Sequence, residues 1–424
     1  MASVRCVKTI ELGSGERLPV LLDETGIPLF EPTLFVLSEV RGRNRSANTI
    51  ASVLRSVMIF HRFLDLRGID FDARMRSGRL LSLGEVEDLA RHSRLFLTDL
   101  GSLSGSSDST TPKVESFEKV RIEIAQQSCS EVDPDVAATR LRYIRMYIEW
   151  LADERCSRYA STEPAAMRLA EASRRTAKAI ESRIPHTSGR GPFGQREGVP
   201  NEVVDEMLRV VDPHSSNNPW QDEHTRYRNA LLVHWLLQLG LRIGEALGVR
   251  VSDVAARAKE ITIHRRADDP GDPRAYPPQT KTLARVLPCS DALLLETQAY
   301  ILQYRRAQGS AKQHPFLFVA SHTGRPMSLS AVGKMFRALR QRCPGLPGDL
   351  SAHLLRHTWN DAFSEKMEAQ RIDPEDEQRI RSYLMGWSPT SGTAATYTRR
   401  YVRIKAKEAS LGLQNQIMGG RGNK

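Results

Sequence analysis

The residues of this sequence best suited to chemistry on an anion lie in three short segments of its second half. In LLVHWLLQLGLRIGEALGVRVSDV, residues 231–254, an apolar helix runs to Gly240, and a second short helical run then places Arg242 and Glu245 three residues apart. An arginine between two apolar runs is partly buried, and a buried guanidinium needs an anion. Glu245 could be that anion as a purely structural partner, or the anion could be a substrate. In SAHLLRHTWNDAF, residues 351–363, His353 and Arg356 fall at i and i+3 on an otherwise apolar helix, with His357 beside them. One face then carries both, and together they can donate to one phosphate. A lone histidine there is more often a satisfied core residue; the pairing with arginine is less easily explained by packing. In SYLMGWSPTSGTAATYTRRYV, residues 382–402, Pro389 and small residues break the chain after Trp387, and a short helix carries Tyr397 with Tyr401 as a nearby competitor. A core tyrosine would look the same.

The elements that must position these residues can be read from periodicity. The first 180 or so residues read as helical. Apolar residues from Ile50 to Leu64 follow one helical face between Ser46 and Gly68. Ser82 with Glu85 makes a capping box for a second helix, and Asp133 followed by Pro134 starts a third with a stripe through Leu141, Ile144, Ile148 and Leu151. Arg140, Arg142 and Arg145 on that third helix form either a solvated face or a phosphate-contacting one. A basic helix through Arg174, Arg175 and Lys178 precedes IPHTSGRGPFGQREGVP, whose Pro, Gly and Ser density marks a linker at 184–199. The expected organisation is an N-terminal helical domain over 1–183 and a second domain over 200–424. The second is mainly helical, with ITIHRR and AYPPQTKTLARVLP as strands of a small sheet.

Composition sets limits on the partners. The chain has 424 residues, 40% hydrophobic and 26% charged, which suits two globular domains. No apolar run approaches the ~18 residues of a membrane span, and the first 20 residues lack the apolar core of a signal peptide, so a soluble, cytoplasmic protein is expected. The five cysteines are scattered and form no CxxC pair, which supports neither a disulfide framework nor a zinc site. The net charge of +11 makes a polyanion the natural partner. Seven Lys or Arg stand against the single acid Glu408 between Arg399 and Lys424, so the charge concentrates next to Tyr397.

Together the three segments resemble the tyrosine site-specific recombinase (phage integrase) family. Gly240-Leu-Arg242-Ile-Gly-Glu245-Ala-Leu resembles its first arginine box, His353-Leu-Leu-Arg356-His357-Thr358 its HxLRHT box, and Leu384-Met-Gly386-Trp387 through Tyr397 the segment leading to its nucleophile. The resemblance covers residues 200–400. It implies a mainly α fold, with a helical core-binding domain in front of a mixed, mainly helical catalytic domain holding a small β-sheet. It implies further that Arg242, His353, Arg356 and Trp387 stabilise a phosphodiester under attack by Tyr397. Lys281 in QTKTLARVLP, on a hairpin turn between the first two boxes, would protonate the leaving oxygen. No cofactor, metal or ATP is expected, the partner is double-stranded DNA at specific sites, and four protomers would act on two sites. This sequence departs from the family in three places. Trp387 stands where His is usual, and its indole N–H can donate a hydrogen bond but not carry a proton. EKMEAQRIDPEDEQRIRS is longer than usual and reads as a surface insertion. The interval from Trp387 to Tyr397 is about one residue longer than usual, which keeps Tyr401 in play. Two other functions fit the same residues: a type IB topoisomerase, disfavoured by the helical front domain, and a DNA-binding regulator that has lost catalysis, disfavoured by retention of the full set.

Overall fold

In a computed structural model the described residues are 5–13, 15–43, 45–96, 131–158, 163–186, 198–266, 269–278, 280, 282–388, 410, 411 and 414. The chain divides into two compact units, Met1–Phe193 and Gly194–Lys424.

The first unit is not helical from its start. An antiparallel hairpin, β1 (Cys6–Glu11) and β2 (Arg17–Leu22), pairs from Cys6↔Leu22 to Glu11↔Arg17. The expectation of a wholly helical front is corrected here. Every residue of β2 is buried, so RLPVLL lacks the apolar–polar alternation that betrays a half-exposed strand. Among the described residues six α-helices follow: α1 (Phe30–Phe35), α2 (Ala47–Leu66), α3 (Phe71–Arg76), α4 (Leu83–His92), α5 (Pro134–Cys156) and α6 (Pro164–Glu181). Their starts are set by side chains. Ser46 caps α2, Ser82 and Glu85 close a reciprocal capping box on α4, and the Asp133 carboxylate accepts from the Asp135 N–H at 2.9 Å to cap α5. The core forms where the apolar face of α2 meets α5 and β2, with the Phe35 and Tyr147 rings 5.1 Å apart and fully buried. The basic face of α5 is largely engaged within the unit. Arg140 donates to the carbonyls of Ser93 at 2.9 Å and Leu95 at 2.7 Å, and Arg145 pairs with Glu181, leaving Arg142 exposed.

The second unit is built around α8 (Glu223–Leu239), which follows α7 (Asn201–Val211). Helix α8 buries residues on most of its circumference, Trp235 among them, as a central helix must. It ends at Gly240, whose φ of 60° is the left-handed cap that glycine adopts without strain. Helix α9 (Ile243–Gly248) leads into a three-stranded antiparallel sheet of β3 (Val254–Ala255), β4 (Glu260–Ile263) and β5 (Arg285–Pro288), in the order β3-β4-β5. The further α-helices among the described residues are α10 (Asp291–Ala299), α11 (Leu329–Arg342), α12 (Ala352–Ala369) and α13 (Pro374–Met385).

Two parts of this unit differ from expectation. The β4–β5 connection is longer than a hairpin turn and is pinned to the body. Arg266 grips Asp253 at 2.7 and 2.8 Å, and the buried Arg274 binds Asp272 while donating to the Leu247 and Met327 carbonyls, both at 3.0 Å. The charged stretch taken for a surface insertion is the end of α12, the α12–α13 turn and most of α13. Most of it is exposed, but Glu377 and Arg381 are buried as an ion pair at i and i+4, with Arg381 also donating to Ser364 at 2.6 Å and lying 5.1 Å from the Phe363 ring. A charge-rich sequence hides this, because a buried pair and a solvated one have the same composition.

Candidate active site

Three of the elements above end at one carboxylate. Helix α8 stops at Gly240, the chain turns, and Arg242 becomes the residue that starts α9. Its backbone N–H donates to Glu245 Oε2 at 2.8 Å, which is half of a capping box with Glu at the third position. Glu245 is thereby aimed back at the turn, with its side chain wholly buried. Strand β5 brings Arg285, whose Nη1 and Nη2 donate to the two Glu245 oxygens at 3.2 and 3.0 Å. Helix α12 brings Arg356, with Nη1 3.7 Å from Glu245 Oε2. Thr282, just before β5, donates its hydroxyl to Glu245 Oε1.

The arginines also read the ends of two helices. Arg356 donates to the Gly240 carbonyl at 2.7 Å and to the Met385 carbonyl at 3.3 Å, while Arg285 Nε donates to Leu384 at 2.6 Å. Carbonyls in the last turn of a helix lack helical partners and carry the negative end of its dipole, so cations suit them. Burial alone would raise the Glu245 pKa, but Arg285, Arg356 and the Thr282 hydroxyl hold it below its ordinary value. The cluster is therefore one carboxylate among three guanidiniums, Arg242, Arg285 and Arg356. Such a group carries net positive charge in a site of low dielectric, where it attracts an anion strongly.

The candidate residues fall into distinct environments. The Arg242 side chain is 36% exposed and reaches Glu245 only at 3.8 Å, so its fork faces partly outward. Arg356 is buried, with its Cζ 5.6 Å from the Trp387 ring centroid, a cation–π arrangement. Trp387 is itself buried directly after Gly386, where φ of 65° ends α13. His353 is exposed, one turn from the partly buried His357, with their rings 4.6 Å apart and nearly perpendicular. Lys281, Tyr397 and Tyr401 lie outside the described residues. Sequence reasoning took Glu245 as a partner for Arg242 and missed Arg285 and Thr282. Register could have found Arg285: on β5 it shares the inward face with Leu287, and a charged residue on the buried face of a strand needs a partner.

The second unit is thus mainly helical with a small antiparallel sheet and a buried arginine cluster, and it follows in the chain a separate unit of a hairpin and helices. Residues 201–403 match the Phage integrase family, so the second unit of this chain is a tyrosine recombinase domain of that family. The chain is also similar to solved structures. One is the XerA recombinase, at 14% identity and a TM-score of 0.34, covering 87% of this chain and 91% of that one. A second is the XerH site-specific recombinase in a post-cleavage complex with palindromic difH, at 14% identity and a TM-score of 0.46 over 78% and 84%. A third is the Tn1549 transposon integrase with circular intermediate DNA, at 14% identity and a TM-score of 0.38 over 75% and 95%. No curated protein matches the chain in sequence. Among the described residues no helix is long and apolar enough to cross a membrane.

Proposed function

We propose that this chain is a site-specific DNA recombinase that breaks and rejoins strands through a 3′-phosphotyrosyl intermediate, in integration, excision or transposition. The observation that carries the reading is the gathering of Arg242, Arg285 and Arg356 around Glu245, which leaves a buried excess of positive charge. A phosphodiester under attack by oxygen accumulates charge on its non-bridging oxygens, and fixed cationic donors stabilise it as magnesium does in other enzymes. Arg242 and Arg356 clamp those oxygens, while His353 and Trp387 add hydrogen bonds. The Tyr397 oxygen attacks phosphorus and loses its proton to water. The bond from phosphorus to the 5′ oxygen breaks, and Lys281 supplies the proton that makes that oxygen a hydroxyl. Because the covalent link conserves the bond energy, a second 5′-hydroxyl reverses the attack without ATP or metal. In this reading residues 1–183 bind DNA beside the catalytic domain over 200–424, four protomers act on two sites, and the protein works in the cytoplasm on the nucleoid.

The test uses a nicked duplex carrying the site that the protein selects from a random-sequence pool, in EDTA and without nucleotide. Wild type should accumulate a denaturant-resistant adduct that maps to the Tyr397 peptide. Tyr397→Phe should bind the same duplex and give none, while Tyr401→Phe should still give one. An adduct on Tyr401 would reassign the nucleophile, and a selected site bound without any adduct would replace the enzyme with a DNA-binding protein.

A further inference from the structure

We propose that Thr282 and Arg285 are positioning residues for protonation of the leaving group, acting through Glu245. The inference rests on the recombinase reading, with Lys281 as the proton donor. Lys281 directly precedes Thr282 in the chain. The chain that leaves Lys281 is fastened at three successive points. The buried Thr282 hydroxyl donates to Glu245 Oε1, the Leu283 N–H donates to the Gly386 carbonyl at 2.9 Å, and Arg285 holds Glu245 and the Leu384 carbonyl. The same Glu245 accepts the Arg242 backbone N–H at 2.8 Å.

One carboxylate thus joins the residue after the proton donor to the turn that carries the first phosphate clamp. Thr282 is joined to Lys281 by a single peptide unit, with adjacent Cα atoms about 3.8 Å apart in any chain, so loosening Thr282 loosens the point to which the lysine is attached. The lysine stem is long and flexible, and a misplacement of ~1 Å can cost about 100-fold in rate. A threonine that merely satisfied a buried lone pair would affect stability and leave the chemistry of the leaving group unchanged.

The leaving group supplies the discriminating experiment. When sulfur replaces the scissile 5′ oxygen, the phosphorus–sulfur bond breaks and the electron pair leaves as a thiolate, which needs no proton at neutral pH as an alkoxide does. Full-length wild type, Thr282→Val, Thr282→Ser and Lys281→Ala are compared on nicked duplexes of the selected site with bridging oxygen or bridging sulfur. Thr282→Val should slow adduct formation about 100-fold with oxygen and return to near the wild-type rate with sulfur. Lys281→Ala should behave the same way. Thr282→Ser should stay near wild type on both, and thermal melting should show all four folded. A Thr282→Val protein that is unimpaired with oxygen, or equally slow on both substrates, overturns the proposal. Failure of sulfur to rescue Lys281→Ala, with an active wild type, overturns it while leaving the recombinase reading intact. A wild type that forms no adduct overturns both.

Discussion

Arg242 and Arg356 are the same residue type set in opposite surroundings, and their variants should separate accordingly. Arg242→Ala removes a side chain that is 36% exposed and 3.8 Å from Glu245, so it should destabilise less than loss of the buried Arg356. Its adduct rate should fall by the equivalent of about 3 to 4 kcal/mol if the fork meets the transition state, as loss of one oxyanion donor does. Arg356→Ala should lose activity and stability together. It strips the donor from the Gly240 and Met385 carbonyls and a counter-charge from Glu245, a change that costs about 3 to 5 kcal/mol when a buried pair is broken. Denaturant melts beside single-turnover cleavage measure both quantities. An Arg242→Ala protein that melts as early as Arg356→Ala would assign Arg242 to the scaffold.

At the scale of elements, the site depends on two helices stopping where they do. Gly386 ends α13 with φ of 65°, and a Cβ there would lie 2.6 Å from Arg285 Nη1 and 2.9 Å from the Leu283 carbonyl. Gly386→Ala should therefore cost more than the ~1–2 kcal/mol of a left-handed alanine, and should displace the arginine. Gly333, inside α11, has nothing within 4 Å of a built Cβ. Gly333→Ala should stabilise by about 0.5 to 1 kcal/mol. Opposite signs for these two changes in urea melts are the expected result; equal signs would mean that the turn at Gly386 tolerates a side chain. The first unit offers a further check, since Ser82→Ala removes one half of a capping box and should cost about 1 kcal/mol.

For the molecule as a whole, charge and buried histidines set its response to conditions. A chain of net +11 binding DNA should show log affinity falling linearly with log salt, with a slope of about −0.9 for each phosphate neutralised. A salt-independent affinity in gel shift would remove the polyanion as partner. In the first unit, burial lowers His61 from 6.5 to about 4, with Arg5 adding to the effect. Burial likewise lowers His92 from 6.5 to about 4, with Arg62 and Arg67 adding to it. A depressed folded pKa means that the unfolded chain binds more protons below 6.5. The stability these groups contribute is complete above pH 6.5 and is lost as pH falls toward 4. Thermal melts should drop through that window, and His92→Gln should flatten the drop.

Local rules made much of this protein legible from its sequence. Ser46, Ser82 and Asp133 start helices and Gly240 stops one, because a cap acts on backbone groups only a few residues away. The spelling around Arg242 and Arg356 likewise pointed to the family that residues 201–403 match, since those short segments carry their pattern intact. Tertiary structure decided which charges meet. Arg285 lies 40 residues from Glu245 and Arg356 lies 116 residues from Gly240, so neither contact leaves a local trace. The hairpin of β1 and β2 escaped for a related reason: burial of β2 on both faces erased its alternation. The stretch read as a surface insertion contains a buried Arg381–Glu377 pair, because burial of a charge is determined by what packs over it.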